Sequence, residues 1–353
     1  MCANNKTHIL ITIKDIAKLA KVSTGTVDRV IHKRSGVSKR TQERIEKIME
    51  LHNFQINKTA QTLALNKKYR IGILIPQSSS NLEFWHRPKN GIEKAAEEIE
   101  IHRTSCSLYY FDHFNASSFI SAFKRLINEN FDAVMLAPIF FDETKKFLPE
   151  LEKANIPYLF INTELKGVND ISYLGQNAKK SGSLAAKMMS ILLDDSDEIL
   201  IIKVRKESDH HIAIDERIAG FTSYYSNKQK PTSFHNLFIA DIKNQETINK
   251  SISKQLITNS KIKGIYVPSS YVNLVANYLE AHEFNHLILI GYDLNETNKL
   301  HLKNETINFL IDQDAFSQGY NGVKTLFDFI SKNKIPQKNQ YTQIQLLTKE
   351  NTL

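Results

Sequence analysis

A short polar stretch near the start of the chain holds the first residues whose types and spacing could do chemistry. Residues 22–34 read VSTGTVDRVIHKR, in which three hydroxyls, a glycine and an arginine precede or interrupt apolar residues at helical spacing. Small residues at a helix start allow a ligand to come close, and the free N–H groups there favour phosphate. Hydroxyl and guanidinium groups hydrogen-bond to phosphates and base edges. The residues that could bind a nucleic acid in this way are Ser23, Thr24, Gly25, Thr26 and Arg29.

A second group of polar and aromatic residues follows the apolar runs in the rest of the chain. Ligands of open α/β sheets bind beyond the carboxyl ends of the strands, where such residues would lie. An aromatic ring there can pack on the face of a sugar, and charged groups can pair with its hydroxyl or carboxylate groups. The candidates for a small-molecule site are Trp85, Asn162, Arg217, Ser269, Asp293 and Gln313.

Each of these candidates also has a purely structural interpretation. Trp85 could fill a core or an interface, Arg217 could be a surface charge beside Asp215 and Glu216, and Asp293 could cap a loop. Both interpretations stay open at the level of sequence.

The sequence contains no residue set that indicates catalysis or a cofactor. Cys2 and Cys106 form neither a disulfide framework nor a metal-ligand spacing. The pair His210-His211 precedes a helix start and lacks a nucleophile-base arrangement nearby. We therefore expect a protein that is not an enzyme and that binds no metal or cofactor.

The charge of the chain is concentrated in its first fifth. Residues 1–70 hold 15 Lys or Arg against 5 Asp or Glu, whereas the whole chain of 353 residues has a net charge of +8. Such asymmetry indicates a polyanion-binding head on a nearly neutral body. No apolar run approaches the ~20 residues that a membrane span requires. Because the N-terminus also lacks an apolar segment typical of a secretory signal, we expect a cytoplasmic protein with no membrane partner.

Three short helices are predicted in the basic head. Thr12 with Asp15 resembles a capping box, Ser23 is the next cap, and Ser38 precedes a third helical pattern. Two short helices joined by a tight turn and supported by a third make a helix-turn-helix domain. The second helix of such a domain enters the major groove of DNA, and its N-terminal residues meet the base edges.

The body alternates β-rich apolar runs with amphipathic helical patterns. This alternation predicts an α/β fold with doubly wound parallel sheets, and seven units fit two lobes better than one. No Gly-rich phosphate fingerprint follows the first run. The predicted strands are 70–76, 107–112, 132–138, 158–162, 198–204, 264–269 and 287–293, and the predicted helices lie near 88–101, 116–129, 143–154, 176–193, 214–227, 243–258 and 271–283.

The head resembles the DNA-binding domain of the LacI/GalR family of bacterial regulators. The matching string begins at residue 12 and reads TIKDIAKLAKVSTGTVDRVIHKRSGVSKRTQERIEKIMELHNFQINKTAQTLA. The resemblance implies that Thr24 and Gly25 help to set the sequence preference and that Arg29 contacts the operator. Lys21 stands where the family usually has Gly, and Asp28 replaces a common Ser. An acid at that position should repel phosphates unless His32, four residues on, partly neutralises it.

The segment after the head resembles the hinge helix of the same family. It runs from Asn57 to Ala64, with Ile56 where a Pro often precedes it. The resemblance implies that Asn57 belongs to the DNA-binding segment, that Leu63 wedges into the minor groove and that Ala60 is the small residue packed beside it. Such a wedge kinks the duplex.

The body resembles the type I periplasmic-binding-protein fold through IGILIP at 71–76, RIAGF at 217–221, IGYD at 290–293 and IDQDAFSQGY at 311–320. The resemblance implies that Asn162, Arg217, Ser269 and Asp293 contact an effector in a cleft between two lobes. Ser269-Ser270 replaces an Asn-Asp pair that is common in the family. The expected domains are a head at 1–54, a hinge and linker at 55–69 and a body at 70–353, with one lobe at about 70–162 and 294–325 and the other at about 163–293 and 326–353.

Together these patterns predict a homodimeric transcription regulator, most simply a repressor. It would bind double-stranded operator DNA under the control of a small polyhydroxylated effector such as a sugar or sugar acid. Two alternatives remain open: a DNA-binding protein whose body only dimerises, and a sensor of a nucleobase or a phosphorylated metabolite.

Overall fold

The computed structural model describes residues 11–31, 34–52, 54, 67–78, 83–205, 211–227, 232–242, 244–284 and 286–352. The chain divides into two compact units, Met1–Leu65 and Asn66–Leu353. The hinge residues that the sequence singles out, Asn57, Ala60 and Leu63, lie outside the described residues.

The described residues of the first unit form three helices around a small apolar core. Its buried residues include Ile16, Ala20, Val27 and Ile45, which come from all three helices. The helices are α1 (Ile13–Ala20), α2 (Thr24–Ile31) and α3 (Lys39–Leu51).

The predicted caps and turn of the head are present in the structure. Thr12 and Asp15 form a capping box, and the side chain of Ser38 accepts a hydrogen bond from the backbone of Thr41. Lys21, which stands where the family usually has Gly, lies in the left-handed region with φ 52°. Glycine adopts this conformation without strain, whereas a Cβ there costs about 1 kcal/mol.

The strands in the described part of the second unit form two six-stranded sheets. In the first sheet the strand order is β11-β5-β4-β3-β1-β2, and in the second it is β12-β10-β9-β8-β6-β7. All neighbouring strands run parallel except β10 and β12, which are antiparallel. The strands are β1 (Tyr69–Pro76), β2 (Thr104–Phe111), β3 (Ala133–Leu136), β4 (Tyr158–Ile161), β5 (Ser172–Gly175), β6 (Glu198–Lys203), β7 (Phe234–Phe238), β8 (Ile262–Tyr266), β9 (Ile288–Tyr292), β10 (Phe309–Asp312), β11 (Asn339–Tyr341) and β12 (Gln345–Leu347).

Helices cover both sheets. In the described residues, the apolar side chains of the helices and strands form one large buried cluster in the first lobe and two in the second. A short 3-10 helix, Glu83–Trp85, leads into the first of these helices. The helices are α4 (His86–Glu100), α5 (Ala116–Ile127), α6 (Phe141–Lys153), α7 (Ala178–Leu192), α8 (Ile212–Asn227), α9 (Gln245–Thr258), α10 (Val272–Ala281), α11 (Glu296–Lys303) and α12 (Ala315–Lys332). None of the helices in the described ranges has the length and apolarity that crossing a membrane demands.

The boundaries of the two lobes differ from those expected at 70–162 with 294–325 and at 163–293 with 326–353. Strand β5 pairs with β4 and so extends the first sheet to residue 175, whereas β10 pairs with β9 in the second sheet. Helix α12 packs against α4 and the first sheet along its length. The chain therefore crosses between the lobes after β5, after β10 and between β11 and β12, because hydrogen-bonded pairing at each sheet edge decides which lobe a segment joins.

Candidate functional site

The start of helix α2 presents the polar residues that the sequence predicts for DNA binding. Ser23, Thr24, Gly25 and Arg29 are exposed, and Thr26 is half-buried. The hydroxyl of Ser23 lies 2.9 Å from that of Thr26 and accepts a hydrogen bond from the Thr26 backbone N–H at 3.2 Å. Ser23 is therefore the helix cap, so Thr24, Gly25 and Arg29 form the free part of this surface.

Basic side chains extend this surface onto helix α1. An open concavity there is lined by Lys14, Lys18, Lys21, Ser23 and Thr24. Lysines beside the start of a helix favour the phosphates of a duplex.

The acid on helix α2 is neutralised within the head. A carboxylate oxygen of Asp28 lies 3.4 Å from a guanidinium nitrogen of Arg34. The expected partner, His32, lies outside the described residues. The pair with Arg34 reduces the repulsion that Asp28 would exert on a phosphate.

In the body, a close contact between two helices positions Arg217. Helix α8 begins at Ile212, so Arg217 lies in its second turn rather than at its start. A Cβ added to Gly182 of α7 would lie 1.8 Å from the carbonyl oxygen of Arg217, and one added to Gly220 would lie 1.9 Å from that of Lys179. Only glycine allows the two helices to approach this closely.

Arg217, Gln313 and Asp293 form one buried hydrogen-bonded chain. The guanidinium of Arg217 donates to the side-chain oxygen of Gln313 and, at 2.9 Å, to the carbonyl oxygen of Pro268. The amide of Gln313 in turn lies 2.9 Å from both carboxylate oxygens of Asp293. Arg217 also lies over the ring of Tyr292, at 4.0 Å from its centroid. Three residues that are 20 to 96 positions apart in sequence thus meet at the carboxyl edge of the second sheet.

Asp293 is held in a left-handed conformation, with φ 68°. The side chain of Asn298 fixes this turn, because its amide donates to the carbonyl oxygens of Ser270, Tyr292 and Asp293 at 2.9–3.1 Å. Asp293 is 3% exposed. Burial raises the pKa of its carboxyl to about 7, and the nearby Arg217 opposes that rise.

The next residue along this edge joins the two lobes. Asp312 forms a two-point ion pair with Arg87 of helix α4 in the first lobe, with nitrogen–oxygen distances of 2.6 and 3.1 Å. Gln176, where the chain leaves the first lobe, donates to the carbonyl oxygen of Asp312 at 3.0 Å. Asp312 adjoins Gln313, so this lobe contact is continuous with the chain of Arg217, Gln313 and Asp293.

The remaining candidates, Trp85, Asn162 and Ser269, differ in their burial and contacts. Trp85 is 2% exposed and packs edge-on against Phe84 inside the core of the first lobe. Its covered ring does not provide the sugar platform that the sequence suggested, because a platform requires an open face. Asn162 follows β4 with φ 67° and is half-buried. Ser269 is buried, and its hydroxyl has no hydrogen-bond partner in the described part of the chain.

Sequence reasoning missed a pair of histidines between the lobes. The ring of His113, just beyond β2, lies 6.4 Å from the ring of His211, which directly precedes α8. Beside them, the ring of Phe114 lies 6.2 Å from that of Tyr271. In the sequence, the His210-His211 dipeptide was the one pattern that pointed to this pair, and His210 lies outside the described residues. Within those ranges no group of three or more His, Cys, Asp or Glu could hold a metal ion.

Comparison with known proteins agrees with this arrangement of head and body. Residues 12–57 match the family model described as bacterial regulatory proteins of the lacI family, and residues 71–334 match the periplasmic binding protein domain. The chain thus has the architecture of a ligand-responsive bacterial transcription regulator and not of an enzyme. It belongs to the LacI family of bacterial regulators, and a periplasmic-binding-protein domain follows the head in the sequence.

Individual relatives divide into those similar in the head and those similar throughout. The transcriptional regulator MalR of Staphylococcus xylosus is 42% identical over 22% of this chain, and only 23% of that relative's own length is covered. MalR of Streptococcus pneumoniae is 22% identical over 95% of this chain and 97% of its own length.

Solved structures resemble the body. A protein described as a LacI transcriptional regulator from Bacteroides fragilis has a TM-score of 0.74 and 29% identity, covering 81% of this chain and 98% of its own. GanP, a glucose-galactose binding protein from Geobacillus stearothermophilus, has a TM-score of 0.70 at 17% identity, covering 81% of this chain and 99% of its own, and so shares the fold.

Proposed function

We propose that this regulator binds operator DNA through its head and that a small polyhydroxylated molecule, bound between the lobes of its body, controls this binding. The observation that carries the proposal is the continuity between the buried chain of Arg217, Gln313 and Asp293 and the ion pair of Asp312 with Arg87. A ligand that exchanges hydrogen bonds with the first three residues also changes the contact between the lobes. This is a coupling of two sites through one two-state element.

The effector class follows from the side chains at the edge of the second sheet. Arg217, Gln313 and Asp293 are buried polar groups that can pair with hydroxyl groups, and the unpartnered hydroxyl of Ser269 lies on the same edge. Relatives in sequence include the transcriptional regulators MalR and TreR, and relatives in fold include a glucose-galactose binding protein. A sugar or sugar acid therefore suits this site better than a nucleobase, which needs an aromatic face that Trp85 does not present.

The DNA-binding part of the proposal extends to a homodimer. One head offers few base contacts through Thr24, Gly25 and Arg29, and two heads that read a pseudo-palindrome would supply the rest. Leu63, with Asn57 and Ala60, is proposed to act as a hinge wedge in the minor groove. The DNA-bound protein is proposed to act as a repressor.

The test combines ligand screening with DNA binding. A thermal-shift screen of sugars, sugar acids and nucleobases against the full-length protein should reveal a ligand through a raised unfolding temperature. Fluorescence anisotropy with a selected operator duplex, with and without that ligand, should then show a change in the operator Kd. A ligand that raises the unfolding temperature but leaves the operator Kd unchanged would show binding without control of DNA binding and would contradict the proposal. The absence of any stabilising ligand would favour the alternative in which the body only dimerises.

A further inference from the structure

Two histidines lie close together where the two lobes meet. The rings of His113 and His211 have centroids 6.4 Å apart and planes inclined by 34°. His113 belongs to the first lobe, two residues after β2, and His211 directly precedes α8. The neighbouring Ile212 packs against the core of the first lobe, so the lobes are in contact here.

Four buried nitrogen atoms in and beside this pair have no hydrogen-bond partner in the described residues. The Nδ1 atoms of His113 and His211 and the Nε atoms of Arg205 and Arg217 are buried without a hydrogen bond in the described residues. Leaving a buried nitrogen unpaired costs free energy, so four such atoms in one region indicate a site for a hydrogen-bond acceptor.

Two guanidinium groups lie near the histidines. Burial lowers the pKa of His211 to about 3, and His113, Arg217 and Arg205 act in the same direction. Burial likewise lowers the pKa of His113 to about 4, against the effect of Asp112. Arg205 pairs with Asp215, and the end nitrogens of Arg217 are taken by Gln313 and Pro268.

The direct hydrogen-bond partners of the Arg217 guanidinium, Gln313 and the carbonyl oxygen of Pro268, carry no charge. A carboxylate or phosphate near the two histidines would balance this positive charge, whereas a neutral sugar would not. We propose that the effector carries an anionic group and that His113 and His211 bind this group between the lobes. The inference rests on the proposed function and narrows the effector to an acidic sugar, either a sugar acid or a sugar phosphate. The ring of Phe114 lies 5.0 Å from that of His113 and 6.2 Å from that of Tyr271.

Binding of an anion has a consequence for protons. An opposite charge next to a histidine favours the imidazolium form and raises its pKa. His113, whose pKa in the free protein is about 4, therefore takes up a proton near pH 6 when the anion raises that pKa by about two units. The affinity falls as the pH rises, by about tenfold per pH unit for each proton taken up.

The experiment is isothermal titration of the full-length protein with matched compounds. Glucuronate and galacturonate are compared with glucose and galactose, and glucose 6-phosphate distinguishes a phosphate from a carboxylate. Titrations at pH 6 and pH 8, in two buffers of different ionisation enthalpy, measure the proton uptake. We expect at least tenfold tighter binding of an acidic compound than of its neutral partner at pH 6, and a smaller difference at pH 8.

The variants are the double substitution His113→Gln/His211→Gln and the control His286→Gln, which changes an exposed histidine before β9. The double variant should lose the preference for the acid and the proton uptake, and the control should retain both. Equal binding of acidic and neutral sugars, or unchanged discrimination in the double variant, overturns the inference while leaving the proposed function intact. Binding of none of the five compounds counts against the proposed effector class itself. Circular dichroism establishes that the double variant is folded.

Discussion

Arg87 and Asp312 are 225 residues apart in sequence and form a two-point ion pair that joins the lobes. The carboxylate is buried, and the guanidinium is about one-third exposed. This pair occupies the place where the chain passes from the second lobe back to the first. Its strength therefore bears on how the lobes close.

Removal of the guanidinium should destabilise the body. In Arg87→Ala the buried carboxylate of Asp312 loses its charged partner, which costs about 1.5–3 kcal/mol for a hydrogen bond to a charged group. Guanidinium chloride unfolding of the full-length protein should show a lower midpoint with little change in slope. The control is Lys89→Ala, which removes an exposed pair with Glu93 and should change stability by less than about 1 kcal/mol. Equal midpoints for the two variants would contradict the role given to Arg87.

Loss of Arg217 should uncouple ligand binding from DNA binding. Arg217→Ala leaves Gln313 and the carbonyl oxygen of Pro268 without their donor, which should raise the effector Kd at least about tenfold, or 1.4 kcal/mol. Asp293→Ala should act in the same direction through Gln313. Operator affinity without effector should hardly change, because neither residue lies in the head. Titration with the ligand from the screen measures the effector Kd, and anisotropy with the operator measures the operator Kd. Loss of operator binding with normal ligand affinity would show that Arg217 and Asp293 have a purely structural role.

The buried carboxyl of Asp293 predicts a pH dependence of stability. Burial raises its pKa from 3.8 to about 7, so the folded protein holds a proton that the unfolded chain has released between these values. The contribution of Asp293 to stability is therefore full below pH 4 and declines as the pH rises towards 7. The difference in the free energy of unfolding between Asp293→Asn and the wild type should shift in favour of the variant as the pH rises from 5 to 8. Calorimetry at the two pH values measures this difference.

A matched control for this comparison is Asp142→Asn, which alters an exposed carboxylate in the first turn of α6. It should show no such gain between pH 5 and pH 8. A constant difference between Asp293→Asn and the wild type at the two pH values would mean that the carboxyl is ionised throughout. Histidines 113 and 211 act in the opposite direction, since their lowered pKa values remove stability as the pH falls below 6.5.

The exposed guanidinium of the second head helix should carry much of the operator recognition. Arg29→Ala should cost about 1–3 kcal/mol in each of two heads if Arg29 makes a bidentate contact with a guanine. Lys47→Ala is the control, because it removes the same charge from an exposed position on α3. Anisotropy at several salt concentrations separates the two effects: Arg29→Ala should lose specific binding at every salt concentration. Equal losses for the two variants would reduce Arg29 to a general phosphate contact.

Sequence patterns predicted the head and the long strands because each of these elements carries its own signal. The caps at Thr12, Ser23 and Ser38 and the buried runs of β1 and β6 can be recognised locally. Strands β5, β11 and β12 have three or four residues each and form through pairing with their neighbours. A local pattern cannot predict them, and the lobe boundaries were wrong for the same reason.

The candidate site was accessible to sequence reasoning only in part. Arg217, Asp293 and Gln313 follow strands or stand in family motifs, and the structure brings them together. Arg87 and His113 have partners in the other lobe, so their importance depends on tertiary contacts over about 100 residues or more. Trp85 shows the reverse case: its residue type suggested a ligand platform, but the packing of the first lobe buries its ring.

The last strands of the chain bear on how the protein is synthesised. Each sheet takes an edge strand from residues 339–347, β11 in one lobe and β12 in the other. Domains generally fold as they leave the ribosome, starting from the N-terminus. The head can fold early in this process, whereas both lobes remain one strand short until residues 339–347 have been translated. A nascent chain can therefore hold a folded DNA-binding head before the body that regulates it is complete.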